Sequence, residues 1–299
     1  MPPQTSNLLL HSNRLAVEIA GPGTAYRGTR FDWSGFVTQV TLDGSHTFCV
    51  PESYQPGQGT GGIGLCNEYT GDEAIGYAEA GPGDPFTKLG IGLLKRPDAG
   101  PYNVFKPLEI MQLFPVTIDS APDQARFGVA PVGCRGYAAR EEKILSVQEN
   151  QLTITTTLEN TGVKPIHIQE FVHNFIGVDR HLIGPDYHLS FPYPLTIDPA
   201  TRYMPEPEVI KVDGHSFTFA GTPQQPFYCR PQGAVQTGQP QWELTYAAGK
   251  IGMREFDDFA PHHVAVWGVS HVISAEIFVP ITLAPGEKQS WSRRFEFFG

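Results

Sequence analysis

The run from Gln151 to Leu158 constrains this chain most. Leu152, Ile154, Thr156 and Leu158 alternate there with Gln151, Thr153, Thr155 and Thr157. A period of two suits a half-buried β-strand and does not suit a helix. Asn160-Thr161-Gly162 then supplies a turn, and Ile166 to Phe171 reads as the next strand. The same texture returns along the chain. Further strands are expected at Gly35 to Leu42, Leu108 to Ile118, Val209 to Phe219, Gln241 to Tyr246, Val264 to Val269, Val272 to Val279 and Gln289 to Phe298. Turn pairs such as Asp43-Gly44, Asp213-Gly214 and Pro285-Gly286 punctuate them.

Many strands, with 32 glycines and 27 prolines between them, predict an all-β fold, a large antiparallel β-sandwich. All-β sandwiches reach this length as one unit, and no repeat or linker-like change of composition marks a boundary. Residues 1–299 are therefore expected to form a single domain. Two segments stand out. Ala138 to Glu149 (AAREEKILSVQE) holds good helix formers, but Ile144, Leu145 and Val147 lead straight into the alternating run, so its second half is read as strand. Pro51 to Asp84 is glycine-rich and lacks alternation; a loop that long inside a compact domain points to function, and it is read as the rim of a binding cleft.

Charge excludes one class of partner. Acidic residues outnumber basic ones by 31 to 21, for a net charge of −10, which repels phosphate backbones, and no Lys/Arg run offers a local exception. Nucleic acid is not expected. The same field disfavours a phosphorylated sugar unless the pocket gathers arginines. Cys49, Cys66, Cys134 and Cys229 are scattered without metal-type spacing and read as reduced, buried thiols. Met1 to Ala20 lacks the pattern of a secretory leader, and no run of about 18 apolar residues could cross a membrane as a helix. A soluble, cytoplasmic protein is expected. Nothing in the sequence selects an oligomeric state.

Two distant patches carry a resemblance. One is Gln169-Glu170-Phe171-Val172-His173-Asn174-Phe175. The other is Ala275-Glu276-Ile277-Phe278-Val279-Pro280, followed by Leu283-Ala284-Pro285-Gly286-Glu287 and a last strand with Trp291. The chain resembles the aldose 1-epimerases in both, in the same order. A third patch, Tyr26 to Gly35, looks like the opening motif of an uncharacterised branch of mutarotase-like proteins. That branch resembles this chain also at Cys66-Asn67-Glu68-Tyr69, Phe86 to Leu94 and Glu255 to Phe259. The upstream H-G-G motif of characterised galactose mutarotases is missing. The resemblance implies a galactose mutarotase-like supersandwich and an enzyme that works without cofactor or metal.

Exchanging the anomers of a sugar means opening and reclosing its ring. A base takes the proton from the C1 hydroxyl while an acid protonates the ring oxygen, and the same groups then act in reverse. The resemblance assigns Glu276 as base and His173 as acid, standing on opposite sides of the ring. Arg30 could hold sugar oxygens in its planar fork, or pair with Asp32. Trp267 and Tyr187 could offer flat faces to a pyranose, although aromatics in β proteins more often sit in the core. Asn67, Glu68 and Lys88 lie in or beside the glycine-rich rim as hydrogen-bonding residues. The expected partner is a mono- or oligosaccharide.

Other chemistries find less support. His167 with His173, and the adjacent His262-His263, lack the spacing of a zinc site. A glycosidase would need two carboxylates, which Glu276 with Glu255 or Asp258 could supply. A catalytically silent carbohydrate-binding protein, or a glycan lyase or hydrolase on the same scaffold, stays open, because a fold does not carry one activity.

Overall fold

The computed structural model describes residues 6–71, 73–233, 238–248 and 250–299. Residues 1–5, the start of the segment examined for a leader, and Asp72 of the glycine-rich segment lie outside them. Alternation becomes two large antiparallel sheets. One runs, in spatial order, Leu8–His11, Leu15–Ala20, Phe36–Leu42, Gly64–Thr70, Ile166–Phe175, Val272–Leu283, His263–Val269 and Phe227–Cys229, with His46–Thr47 pairing off Phe36–Leu42. The other runs Ile210–Asp213, Ser216–Phe219, His188–Ser190, Trp242–Tyr246, Ile251–Asp257, Lys288–Phe298, Gln151–Asn160, Ala139–Gln148, Gln124–Val129 and Val116–Ala121. Side chains from both sheets meet in one apolar cluster. Val17, Val40, Val172 and Ile277 come from the first sheet, and Phe127, Leu152, Met253 and Phe295 from the second. The chain is an all-β sandwich. Among the described residues no helix is long and apolar enough to cross a membrane.

The whole of Ala139–Gln148 is strand, first half included. Helix propensity loses because the sheet buries every second side chain, and two of those are charged. Glu141 and Lys143 point inward with Ala139, Leu145 and Val147. Lys143 meets the Asp32 carboxylate, and Glu141 lies 3.4 Å from its Nζ. The expected strand at Leu108 to Ile118 is two strands, Ile110–Leu113 and Val116–Ala121, in different sheets. Pro115, between them, has no N–H to give a ladder. Val209 to Phe219 folds back on itself at Asp213-Gly214 as a hairpin. The four cysteines are buried and unpaired.

The histidine strand, Ile166–Phe175, decides where function can sit. Its even positions face the second sheet: Glu170 is bound by Trp291 and Arg293 from there. Its odd positions, Gln169, Phe171 and His173, line a cleft on the face turned away from that sheet.

Candidate active site

The cleft floor is built from cross-strand rows, because residues opposite one another in register share a face. His173 is opposite Cys66, and Glu276 is opposite Ala265. Between the histidine strand and the glutamate strand (Val272–Leu283), Glu170 faces Val279 and Ile176 faces Ile273. That register brings His173 across from Glu276. One row therefore reads Cys66, His173, Glu276, Ala265. The next reads Glu68, Phe171, Phe278, His263, with Phe171 stacked on Phe278 at 4.3 Å and His263 on Phe278 at 3.9 Å. Arg30, Glu52 and Phe105 form part of the wall from loops, around a volume of about 730 Å³.

His173 Nε2 lies 3.2 Å from Glu276 Oε1, and both side chains are buried. The regular ladder lapses here and side chains replace it. The Asn174 amide nitrogen donates to the Ala275 carbonyl at 2.6 Å, and the Asn174 backbone N–H to Ser274 Oγ at 2.9 Å. Ser274 Oγ donates in turn to Glu276 Oε1 at 3.1 Å. The carboxyl is thus oriented by its own strand.

Burial controls the charge of this pair. Desolvation pushes the Glu276 carboxyl up to about 8, against the pull of Arg30 and the Ser274 hydrogen bond. Desolvation, aided by Arg30, holds the His173 imidazole well below its usual range. Aromatic rings supply the low-dielectric wall: Phe175 stacks on the imidazole at 3.9 Å, and Trp267 meets it edge-on at 5.3 Å. His173 Nδ1 is buried with no hydrogen-bond partner among the described residues. Near neutral pH the pair is a carboxylic acid beside a neutral imidazole, with one proton between them.

Arg30 is not paired with Asp32. Its Nε donates to Glu68 Oε2 at 2.8 Å and its Nη1 to Thr60 Oγ1 at 3.3 Å. Its guanidinium lies 4.6 Å from the Phe31 ring centroid and 5.0 Å from that of Phe105. The Tyr26 hydroxyl accepts the backbone N–H groups of Arg30 and Phe31 and fixes the loop. Thr60 donates from its backbone and its hydroxyl to Glu52 Oε2, so the glycine-rich segment closes on Glu52. That segment lines the cleft through Glu52, Glu68, Thr70 and Gly71.

His173, Glu276, Arg30, Glu68 and Trp267 all line this cleft. Three expected residues do not. Asn67 follows the alternation to the opposite face from Glu68, where its amide donates to Glu170. Lys88 is buried behind the floor, its Nζ donating to the Tyr69 carbonyl at 2.6 Å, and desolvation lowers it to about 8. Tyr187 belongs to the core between the sheets, its hydroxyl shared by the carbonyls of Val178 and His181. Nor do Glu255 and Asp258 reach the cleft. Glu255 is held by Trp242 and Arg293, and Asp258 accepts the Ser292 N–H.

No family model matches this sequence, and no curated protein matches it. Solved structures do match in three dimensions. A galactose mutarotase-like protein from Clostridium acetobutylicum superposes with a TM-score of 0.58 at 12% identity, over 97% of this chain and 94% of that one. A galactose mutarotase-like protein from Lactobacillus casei ATCC 334 gives 0.57 at 11%, over 97% and 99%. An aldose epimerase homologue from C. elegans gives 0.57 at 10%, over 97% and 98%. This chain has the galactose mutarotase-like fold.

On this galactose mutarotase-like scaffold, several cleft residues escaped the sequence reading: Arg230, Tyr228, Gln169 and Phe278. His262 and His263 were weighed only as metal ligands. For Gln169 the signal was present, since it shares parity with His173 on one strand. For Arg230 and Tyr228 it was not. Tyr228 sits in a strand, Phe227–Cys229, of only three residues, too short for alternation to show, and Arg230 follows just after it.

Proposed function

We propose that this protein interconverts the α and β anomers of a mono- or oligosaccharide, as an aldose 1-epimerase-like isomerase acting as one domain. The observation that carries this reading is the contact of His173 with Glu276 on the cleft floor. The two oxygens that exchange protons, the C1 hydroxyl and the ring oxygen, are bonded to the same carbon. An acid and a base that stand side by side, as these do, can serve both oxygens. One proton on the pair suffices. Passing from Glu276 to His173, it yields the carboxylate that deprotonates the C1 hydroxyl and the imidazolium that protonates the ring oxygen. The ring opens to the aldehyde, the C1–C2 bond rotates, and reclosure returns both protons. Arg30, held by Glu68, adds donors, and Trp267 with Phe171 adds apolar surface for the ring.

One-dimensional NMR of freshly dissolved α-glucose and α-galactose tests this by following the anomeric protons to equilibrium. Acceleration lost in Glu276→Gln and His173→Asn is expected. Sugar binding without acceleration, or acceleration that survives both substitutions, overturns the catalytic reading.

A further inference from the structure

The cleft is electrically lopsided. On the Gly64–Thr70 side, Arg30 is matched by Glu68, and Glu52 lies beyond Thr60. On the Phe227–Cys229 side stand Arg230, His262 and His263, and the lining residues there include no carboxylate beyond Glu276 on the floor. Arg230 is exposed. Its Nε donates to the Tyr228 hydroxyl at 2.9 Å, and among the described residues it makes no ion pair. That single bond steadies the guanidinium and leaves both Nη groups available, the fork that grips an oxyanion. In a chain of net charge −10, a cleft arginine without a carboxylate partner is a local reversal of the field.

Its position is as informative as its charge. Tyr228 is opposite Trp267 and Cys229 opposite Val266; Arg230 follows directly after that strand and lines the cleft with Tyr228 and Trp267. The Phe227–Cys229 strand is two strand spacings from the glutamate strand, about 10 Å between backbones. His263 adds a polar edge: its Nε2 is buried without a partner among the described residues, and its Nδ1 lies 2.9 Å from His262 Nδ1.

We infer that Arg230, flanked by His262 and His263, forms an oxyanion subsite, and that the sugar handled here carries a phosphate or carboxylate group remote from its anomeric carbon. This rests on the sugar reading above and names its substrate class. The acidic surface argues against such a sugar only until it enters the cleft, where Arg230 has no carboxylate partner among the described residues.

Calorimetry on Glu276→Gln protein, which separates binding from turnover, tests the subsite with glucose, glucose 6-phosphate, glucuronate and inorganic phosphate. At least one charged sugar should bind about tenfold tighter than glucose, and the stronger of the two tells phosphate from carboxylate. Adding Arg230→Gln should collapse that preference to near one, with Arg230→Lys retaining part of it. Equal affinities for charged and neutral sugars, or a preference that survives Arg230→Gln, overturn the subsite while leaving the anomerase reading intact. If no sugar binds but inorganic phosphate does, and Arg230→Gln abolishes it, the sugar reading fails and the oxyanion subsite stands. No binding by any of the four overturns both.

Discussion

Glu170 and His173 are three residues apart on one strand, yet the two faces of that strand treat charge in opposite ways. On the inner face Glu170 is saturated. Asn67 donates to one carboxylate oxygen, and Trp291 and Arg293 donate to the other. Arg293 reaches on to Glu255 at 3.1 Å and lies 3.8 Å from Asp257. On the cleft face Glu276 and His173 are equally buried but have little to satisfy them, and burial drives both toward neutrality. The charges that hold the sheets together at Glu170 are paired and hydrogen-bonded. Groups that must pass a proton are left under-solvated, so that protonation costs little either way. Burial alone therefore does not separate structure from function; the number of partners does.

Cutting each face should separate them. Arg293→Met would strand the carboxylates of Glu170, Glu255 and Asp257 in the core and should cost about 3–5 kcal/mol, read as a lower denaturant midpoint. Full stability in that variant would erase the contrast. Glu276→Gln should lower the rate of anomer exchange on the order of 10²–10⁴-fold with no loss of fold. Its stability should even rise at alkaline pH. The carboxyl's pKa is raised on folding, so its contribution is present below about 4.5 and lost as pH climbs through about 8. The neutral amide removes that loss, roughly 5 kcal/mol by pH 9 for a rise from 4.5 to about 8, and thermal melts at pH 6 and pH 9 would show the larger part of it.

The same titration sharpens the mechanism. Above pH 8 the pair loses its shared proton, leaving a base without an acid. The wild-type kcat/KM should fall with an alkaline limb near pH 8 and stay level through pH 6.5, where a histidine of ordinary pKa would titrate. A limb at 6.5 instead would place the mobile proton on a conventional imidazolium. The smallest effect concerns a residue moved from cleft to core. Tyr187→Phe should leave sugar affinity unchanged and cost about 1 kcal/mol of stability through its lost hydrogen bonds.

Much of this was legible in the chain itself. Period-two alternation from Gln151 to Leu158, with glycine and proline turns, determined an antiparallel all-β fold, while the resemblance carried by two strand motifs singled out His173 and Glu276. Local patterning could give the strands because a strand's sidedness is written in neighbouring residues. It could not show which face a polar residue takes once the pattern turns irregular. Asn67 and Glu68 looked alike in sequence, and only register sent one to the core and the other to the cleft. Nor could it show that Lys143 and Glu141 turn inward, since their partner Asp32 lies more than a hundred positions away. Meeting partners that far apart is decided by sheet order, because pairing across strands depends on the packing of the whole sandwich. Tertiary structure alone placed His173 3.2 Å from Glu276 and set Arg230 in the same cleft.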